Sequence, residues 1–196
     1  MSIVLTNDPL LFGVNLFIPN NFVMSKACKS FATTNGNCRV TVRPAWGLSH
    51  ADILRSVDDL HDKLQHYTTF QGGAIMFGWS RGCQVIAELM LKHMRENIVL
   101  SNVRAVMIGN LTRPVEYGGD PTGQYLGGGE IARTPIDSPY PILDVARKGD
   151  MYANYPGTGT LDNTAHLNYF GVDLNTLDDT MISKVEAGNA TFYVVP

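Results

Sequence analysis

Gly78-Trp79-Ser80-Arg81-Gly82 sets a serine between two glycines, one two positions before it and one two positions after. This is the G-x-S-x-G spacing of a sharp strand-to-helix turn, where any side chain at the glycine positions would collide with neighbouring backbone. Such a bend lifts the Ser80 hydroxyl clear of a sheet. It also aims the first N–H groups of the following helix, beginning with Arg81, at an oxygen that turns negative during acyl transfer. A serine hydroxyl needs a base to take its proton, and the base needs a carboxylate to orient it. Asp150 and His166 follow Ser80 in the order such sheets require: Asp150 directly follows a predicted strand, where catalytic groups gather, and His166 comes 16 residues later in an irregular stretch able to fold back over the sheet.

The other histidines fit that role less well. His50 lies in a helix-start signal, His61 and His66 fall on a helix ahead of the serine, and His93 lies deep in the helix behind it. Asp144 is the rival acid, although in mid-strand it points to a sheet face rather than to the rim. Asp162 is too close in sequence to His166 to approach it from another element.

The elements that must hold these groups alternate between short apolar runs and amphipathic helices, the pattern of a mainly parallel sheet covered on both faces. Strands are predicted at 9–17, 38–42, 73–78, 103–108 and 141–147. One helix starts at Ser49-His50-Ala51-Asp52, where a serine hydroxyl can accept a free backbone N–H, and runs to about Tyr67. Its stripe of Ile53, Val57, Leu60 and Leu64 follows helical spacing. A second helix follows Ser80, with Val85, Ile86, Leu89, Met90 and His93 on its inner face. Residues 111–138 read as a long surface excursion, 174–186 as a further helix, and 191–195 as an edge strand or docking tail. The fold class expected is α/β: a single three-layer α/β/α sandwich with a mainly parallel central sheet, over residues 1–196.

At 196 residues the chain is about one domain long. Fifteen basic against 18 acidic residues, a net charge of −3, argue against nucleic acid as the main partner, since phosphate binding needs a clustered basic excess. No apolar run reaches a membrane-spanning length, and no transmembrane segment is expected. The N-terminus lacks the basic region and small-residue cleavage site of a signal peptide, so synthesis and folding in a cytosol are expected. Cys28, Cys38 and Cys83 cannot all pair within the chain. A Cys28–Cys38 bridge would close a short loop, but a reducing compartment leaves thiols. The scattered histidines offer no metal site, and Gly127-Gly128-Gly129 lacks the G-K-[ST] ending of a phosphate loop.

Gly149-Asp150-Met151-Tyr152 and His166-Leu167-Asn168-Tyr169 resemble the G-D-x-V and H-L-x-Y signatures of cutinases. With the serine motif, in the same order, they resemble the cutinase-like serine esterases. Gly109-Asn110-Leu111-Thr112-Arg113-Pro114, Gly118-Gly119 and Arg43-Pro44-Ala45-Trp46 narrow the likeness to the mycobacteriophage lysin B esterases and the mycobacterial PE-PPE hydrolase domains. The resemblance spans about residues 10–170. It implies a cutinase-like α/β-hydrolase sheet, a triad of Ser80, Asp150 and His166, and no metal or organic cofactor. It further implies hydrolysis of esters with long apolar acyl chains, mycolate esters of the host cell envelope in the lysin B case. Leu111, Tyr152, Leu167 and Tyr169 are then the candidate acyl-chain contacts.

One departure stands out. Lysin B proteins follow their first strand with a His-Gly-Thr-type turn that gives an oxyanion donor, and the matching stretch here, 14–18, has neither glycine nor hydroxyl. The Arg81 amide remains as one donor, with the Asn15 side chain as the candidate second. Loss of one such donor costs about 100- to 1,000-fold in rate. The alternative expectation is therefore a phage virion structural or envelope-binding module on the same fold, partnered by other virion proteins. In either case the chain would be made in the host bacterial cytoplasm, then built into the virion or released at lysis.

Overall fold

Short apolar runs and long amphipathic helices assemble into the parallel sheet that their alternation predicts. The computed structural model describes residues 3–7, 38–41, 50–122, 132–155, 164–169 and 172–196. Among these residues seven strands form one sheet: β1 (Ile3–Asn7), β2 (Cys38–Thr41), β3 (Ala74–Trp79), β4 (Val103–Ile108), β5 (Ile142–Arg147), β6 (Ser183–Ala187) and β7 (Ala190–Val195). Their spatial order is β2-β1-β3-β4-β5-β7-β6. Every pairing is parallel except that of β6 with β7. Two long helices, α1 (His50–Gln71) and α2 (Arg81–Glu96), precede β3 and β4.

The steps from β2 to β3 and from β3 to β4 run the same way along the sheet. Right-handed crossovers therefore place α1 and α2 on one face. Ile53, Val57, Leu60 and Leu64 of α1 meet Val85, Ile86, Leu89 and Met90 of α2 over Ala74, Met76, Ala105 and Met107, all buried. The opposite face carries Ile75, Phe77, Val106, Ile108 and Val145, covered by Tyr169, Leu174 and Leu177. Those residues belong to a C-terminal stretch holding two four-residue helices, α3 (Thr164–Leu167) and α4 (Leu177–Thr180). With both faces covered, β3 is buried at all six positions, as a central parallel strand must be.

Four expectations change. The strand leading the sheet is Ile3–Asn7, and the run 9–17 lies outside the described residues. The helix expected over 174–186 is instead α4 followed by β6, because Gly188 at φ +56 turns the chain into a β6–β7 hairpin. A Cβ on Gly188 would sit 2.3 Å from the Ile136 carbonyl oxygen, so glycine alone fits that turn. The segment expected at the edge, β7, lies inside the sheet between β5 and β6. Finally, the expected surface excursion dips inward: Leu111, Thr112, Arg113, Asp120, Thr134 and Ser138 are all buried. The Gly127-Gly128-Gly129 run and Cys28 lie outside the described residues.

Candidate active site

Ser80 is the first residue beyond β3 and caps α2 with φ 54 and ψ −118, a backbone region that non-glycine residues occupy only at a cost of about 1–3 kcal/mol. Gly78 makes the bend feasible. A Cβ there would meet the Gly82 carbonyl carbon at 2.8 Å and the Cys83 amide at 2.9 Å. The Ser80 hydroxyl makes no capping bond to the helix. It lies instead 2.9 Å from His166 Nε2.

His166 sits on α3 and is brought to the serine across 86 residues of chain. Its Nδ1 faces both Asp150 oxygens, at 3.1 and 3.0 Å. Trp79 steadies the ring from beside the serine: its indole stacks on the imidazole at 5.8 Å and donates to the His166 carbonyl at 3.3 Å. The Tyr152 ring meets the imidazole edge at 4.5 Å.

Asp150 is fully buried in the turn after β5. Its Oδ1 accepts the Tyr152 and Ala153 amides at 2.9 and 3.2 Å, and its Oδ2 accepts the Tyr169 hydroxyl at 2.6 Å. Burial pushes the carboxyl up. The facing imidazole and these hydrogen bonds outweigh burial and hold it below the ordinary carboxylate range. An ionised Asp150 fixes His166 with its proton on Nδ1, leaving Nε2 free to accept the serine proton.

Beneath this chain lies a second polar layer. Asp144 is not the partner of His166: fully buried in mid-strand, it accepts the Asn110 side-chain amide at 2.6 Å and faces Arg113 at 3.5 Å. Burial raises its carboxyl, against the pull of Arg113. Arg113 donates to the Ala153 and Tyr193 carbonyls, tying the loop after β4 to the Asp150 turn and to β7. Asn110 also receives the Thr112 amide, at 2.9 Å. The Gly109-to-Arg113 motif thus braces the site from below.

The structure sorts the other candidates. Tyr169 is 0% exposed with its hydroxyl committed to Asp150 and to the Arg147 amide, so it offers no surface to an acyl chain. Leu111 is buried in the loop after β4. Tyr152 and Leu167 stay partly exposed beside His166. The Arg81 amide is a first-turn donor of α2 with no intrahelical acceptor. Asn15 and Asp162 lie outside the described residues. His50 contacts Glu88, His61 contacts His93, and His66 meets the Tyr67 ring edge-on and the Phe70 ring at a tilt; none of these joins the serine.

Gly109 escaped the sequence reading as a site residue. At φ +55 its missing side chain leaves room for the His166 and Tyr169 rings and for Asp150, each 3.2 to 3.3 Å from where a Cβ would sit. Its position just beyond a strand, next to Asn110, was the available signal. Cys83, behind the serine, is buried and its thiol is pushed well up by burial. Among the described residues no group of three His, Cys, Asp or Glu side chains could hold a metal, and no helix is long and apolar enough to cross a membrane.

No protein-family model matches the sequence, and no curated protein is significantly similar to it. Solved structures do match. A Xanthomonas campestris protein described as a hydrolase of the alpha/beta superfamily superposes with a TM-score of 0.52 at 12% identity, over 79% of this chain and 76% of that one. A YdeN-like hydrolase of Pectobacterium atrosepticum gives 0.47 at 12% identity, over 79% and 66%. At such identity the likeness shows the fold alone: this chain has an α/β fold with a mainly parallel sheet, similar to that of the Xanthomonas protein.

Proposed function

We propose that the chain is a serine hydrolase cleaving carboxylic esters through Ser80, His166 and Asp150. The observation that carries this reading is the unbroken relay from Asp150 through His166 to Ser80, with gaps of 3.0 and 2.9 Å, at a strained strand-to-helix bend. A structural module would have no use for a strained serine whose hydroxyl forgoes the helix cap.

In this reading His166 Nε2 takes the Ser80 proton as the oxygen attacks the ester carbonyl. Asp150 holds the imidazolium that results, and the Arg81 amide binds the oxyanion. His166 returns the proton to the departing alcohol, leaving an acyl-serine. Water, deprotonated by the same imidazole, then releases the acid and restores Ser80. The finer substrate class is esters of long apolar acyl chains, as in lysin B. It is supported by the cutinase-like motifs and by the partly exposed Tyr152 and Leu167 next to His166.

Hydrolysis of 4-nitrophenyl esters from acetate to palmitate tests the reading. Wild type turns them over with a preference for longer chains, and Ser80→Ala lowers kcat by about 10⁴- to 10⁶-fold. A fluorophosphonate labels Ser80 alone. Silence toward every chain length, together with no labelled serine, overturns it in favour of a structural module.

A further inference from the structure

Arg81, next to the reacting serine, has a second peculiarity. The residue is 8% exposed, and its Nε, Nη1 and Nη2 are buried without a single hydrogen-bond partner among the described residues. Gln84, three residues along α2 and so on the same side of the helix, buries its Oε1 equally unpaired. Buried polar atoms normally find partners, and an unpaired guanidinium is the most costly case.

The location adds to the anomaly. α1 follows β2 and α2 follows β3, so both helices begin at the carboxyl rim of the sheet, where Ser80 lies. The electrostatic neighbour of the Arg81 guanidinium is Asp52, in the first turn of α1. Arg81 and its neighbour Asp52 thus both belong to first turns, of adjacent helices whose N-terminal dipoles favour negative charge. Asp52 itself is engaged by Arg55. What a buried, unpaired guanidinium at a helix start calls for is an oxyanion, which it grips through two parallel hydrogen bonds. The unpaired Gln84 oxygen adds an acceptor for a hydroxyl beside it.

We infer that the rim between the starts of α1 and α2 is a subsite for a carboxylate or phosphate on the alcohol portion of the ester, held by Arg81. The inference rests on the Ser80 reading and sharpens its substrate class. Arg81 has a residue of α1, Asp52, as its electrostatic neighbour, whereas Tyr152 packs on His166 and Leu167 follows it in the chain. An ester lying across Ser80 thus presents an apolar acyl half to one side and an acidic alcohol half to the other. Its substrates are amphiphilic acid-bearing esters rather than neutral fats.

The test compares octanoyl esters of 3- and 4-hydroxybenzoate with those of 3- and 4-hydroxybenzamide, which differ in charge and scarcely in shape. Each rate is corrected for its hydroxide-catalysed reference. Wild type should favour at least one carboxylate ester by tenfold or more in kcat/KM. Arg81→Gln should cut that ratio at least fivefold, and Arg81→Lys, which keeps the charge but not the paired geometry, should fall between them. A wild-type ratio near one for both isomers, or a preference that survives Arg81→Gln, overturns the subsite while leaving the esterase reading intact. If wild type cleaves none of the four esters, the Ser80 reading is decided by the 4-nitrophenyl series and the fluorophosphonate label instead. Arg81 is then judged by melting temperature in 3-hydroxybenzoate against 3-hydroxybenzamide. A rise of several degrees with the carboxylate alone, absent in Arg81→Gln, supports the subsite, and no such rise overturns it.

Discussion

The Tyr169 hydroxyl holds two segments together at once: it donates to Asp150 and accepts the Arg147 amide at 2.7 Å. Tyr169→Phe leaves a partly buried amide and a buried carboxylate oxygen each short of a partner, an expected loss of about 1–3 kcal/mol read by urea denaturation. The same bond helps to keep the Asp150 carboxyl low. A carboxyl whose folded pKa lies below its unfolded value stabilises the fold above the unfolded pKa, and that contribution fades as pH falls through the folded one. Phenylalanine therefore moves the acid-side loss of stability to higher pH. A profile that does not move would reduce Tyr169 to packing. Sequence reading singled out Ser80, Asp150 and His166 by motif and order, and the structure brings His166 within hydrogen-bond reach of the other two. That reading misjudged Tyr169, since an aromatic residue near a histidine reads the same whether it faces a ligand or the core.

Turns, rather than strands and helices, set the precision of the site. Gly109→Ala would force an alanine to φ +55, costing about 1–2 kcal/mol, and would press a methyl group against His166 and Tyr169. Displacing the imidazole by a fraction of an ångström is expected to lower kcat about 10- to 100-fold with a smaller change in KM, as steady-state kinetics would show. Gly78→Ala meets backbone rather than ring edges, so it should fail to give folded protein on expression. The central elements were readable because α1, β3, α2 and β4 each carry one strong periodicity. The β6–β7 hairpin was not, because Leu174, Leu177, Met181 and Val185 mimic helical spacing while Gly188 settles the matter locally. The buried path of 111–114 was hidden for a different reason: only the tertiary pairing of Arg113 with Asp144 and two distant carbonyls pulls it inward.

Across the whole molecule, acid sensitivity has an origin far from the serine. His93, in the last turn of α2 and about 18 Å along the helix from Arg81, is wholly buried between the His61 ring and the Tyr140 hydroxyl. Burial first, then its charged neighbours, lowers it to about 4. The unfolded chain thus binds a proton more readily than the folded one, and stability falls as pH drops from about 6.5 towards 4, by about 3 kcal/mol at most. Asp144 works in the opposite sense: its raised carboxyl contributes stability at low pH that is lost as pH rises through its folded value. His93→Gln should flatten the fall of the urea midpoint between pH 6.5 and 4, and an unaltered slope would assign the acid sensitivity elsewhere.

The bond between Ser80 and His166 closes a loop of 86 residues and needs the C-terminal stretch to have docked on the far face of the sheet. Synthesis therefore completes α1, β3, α2 and β4 well before the imidazole emerges. A truncated or half-folded chain can already show its full circular-dichroism signal from these helices while remaining inert to an active-site label. Reactivity of one hydroxyl then serves as a stopwatch for the slow, long-range end of folding, which backbone spectroscopy registers too early.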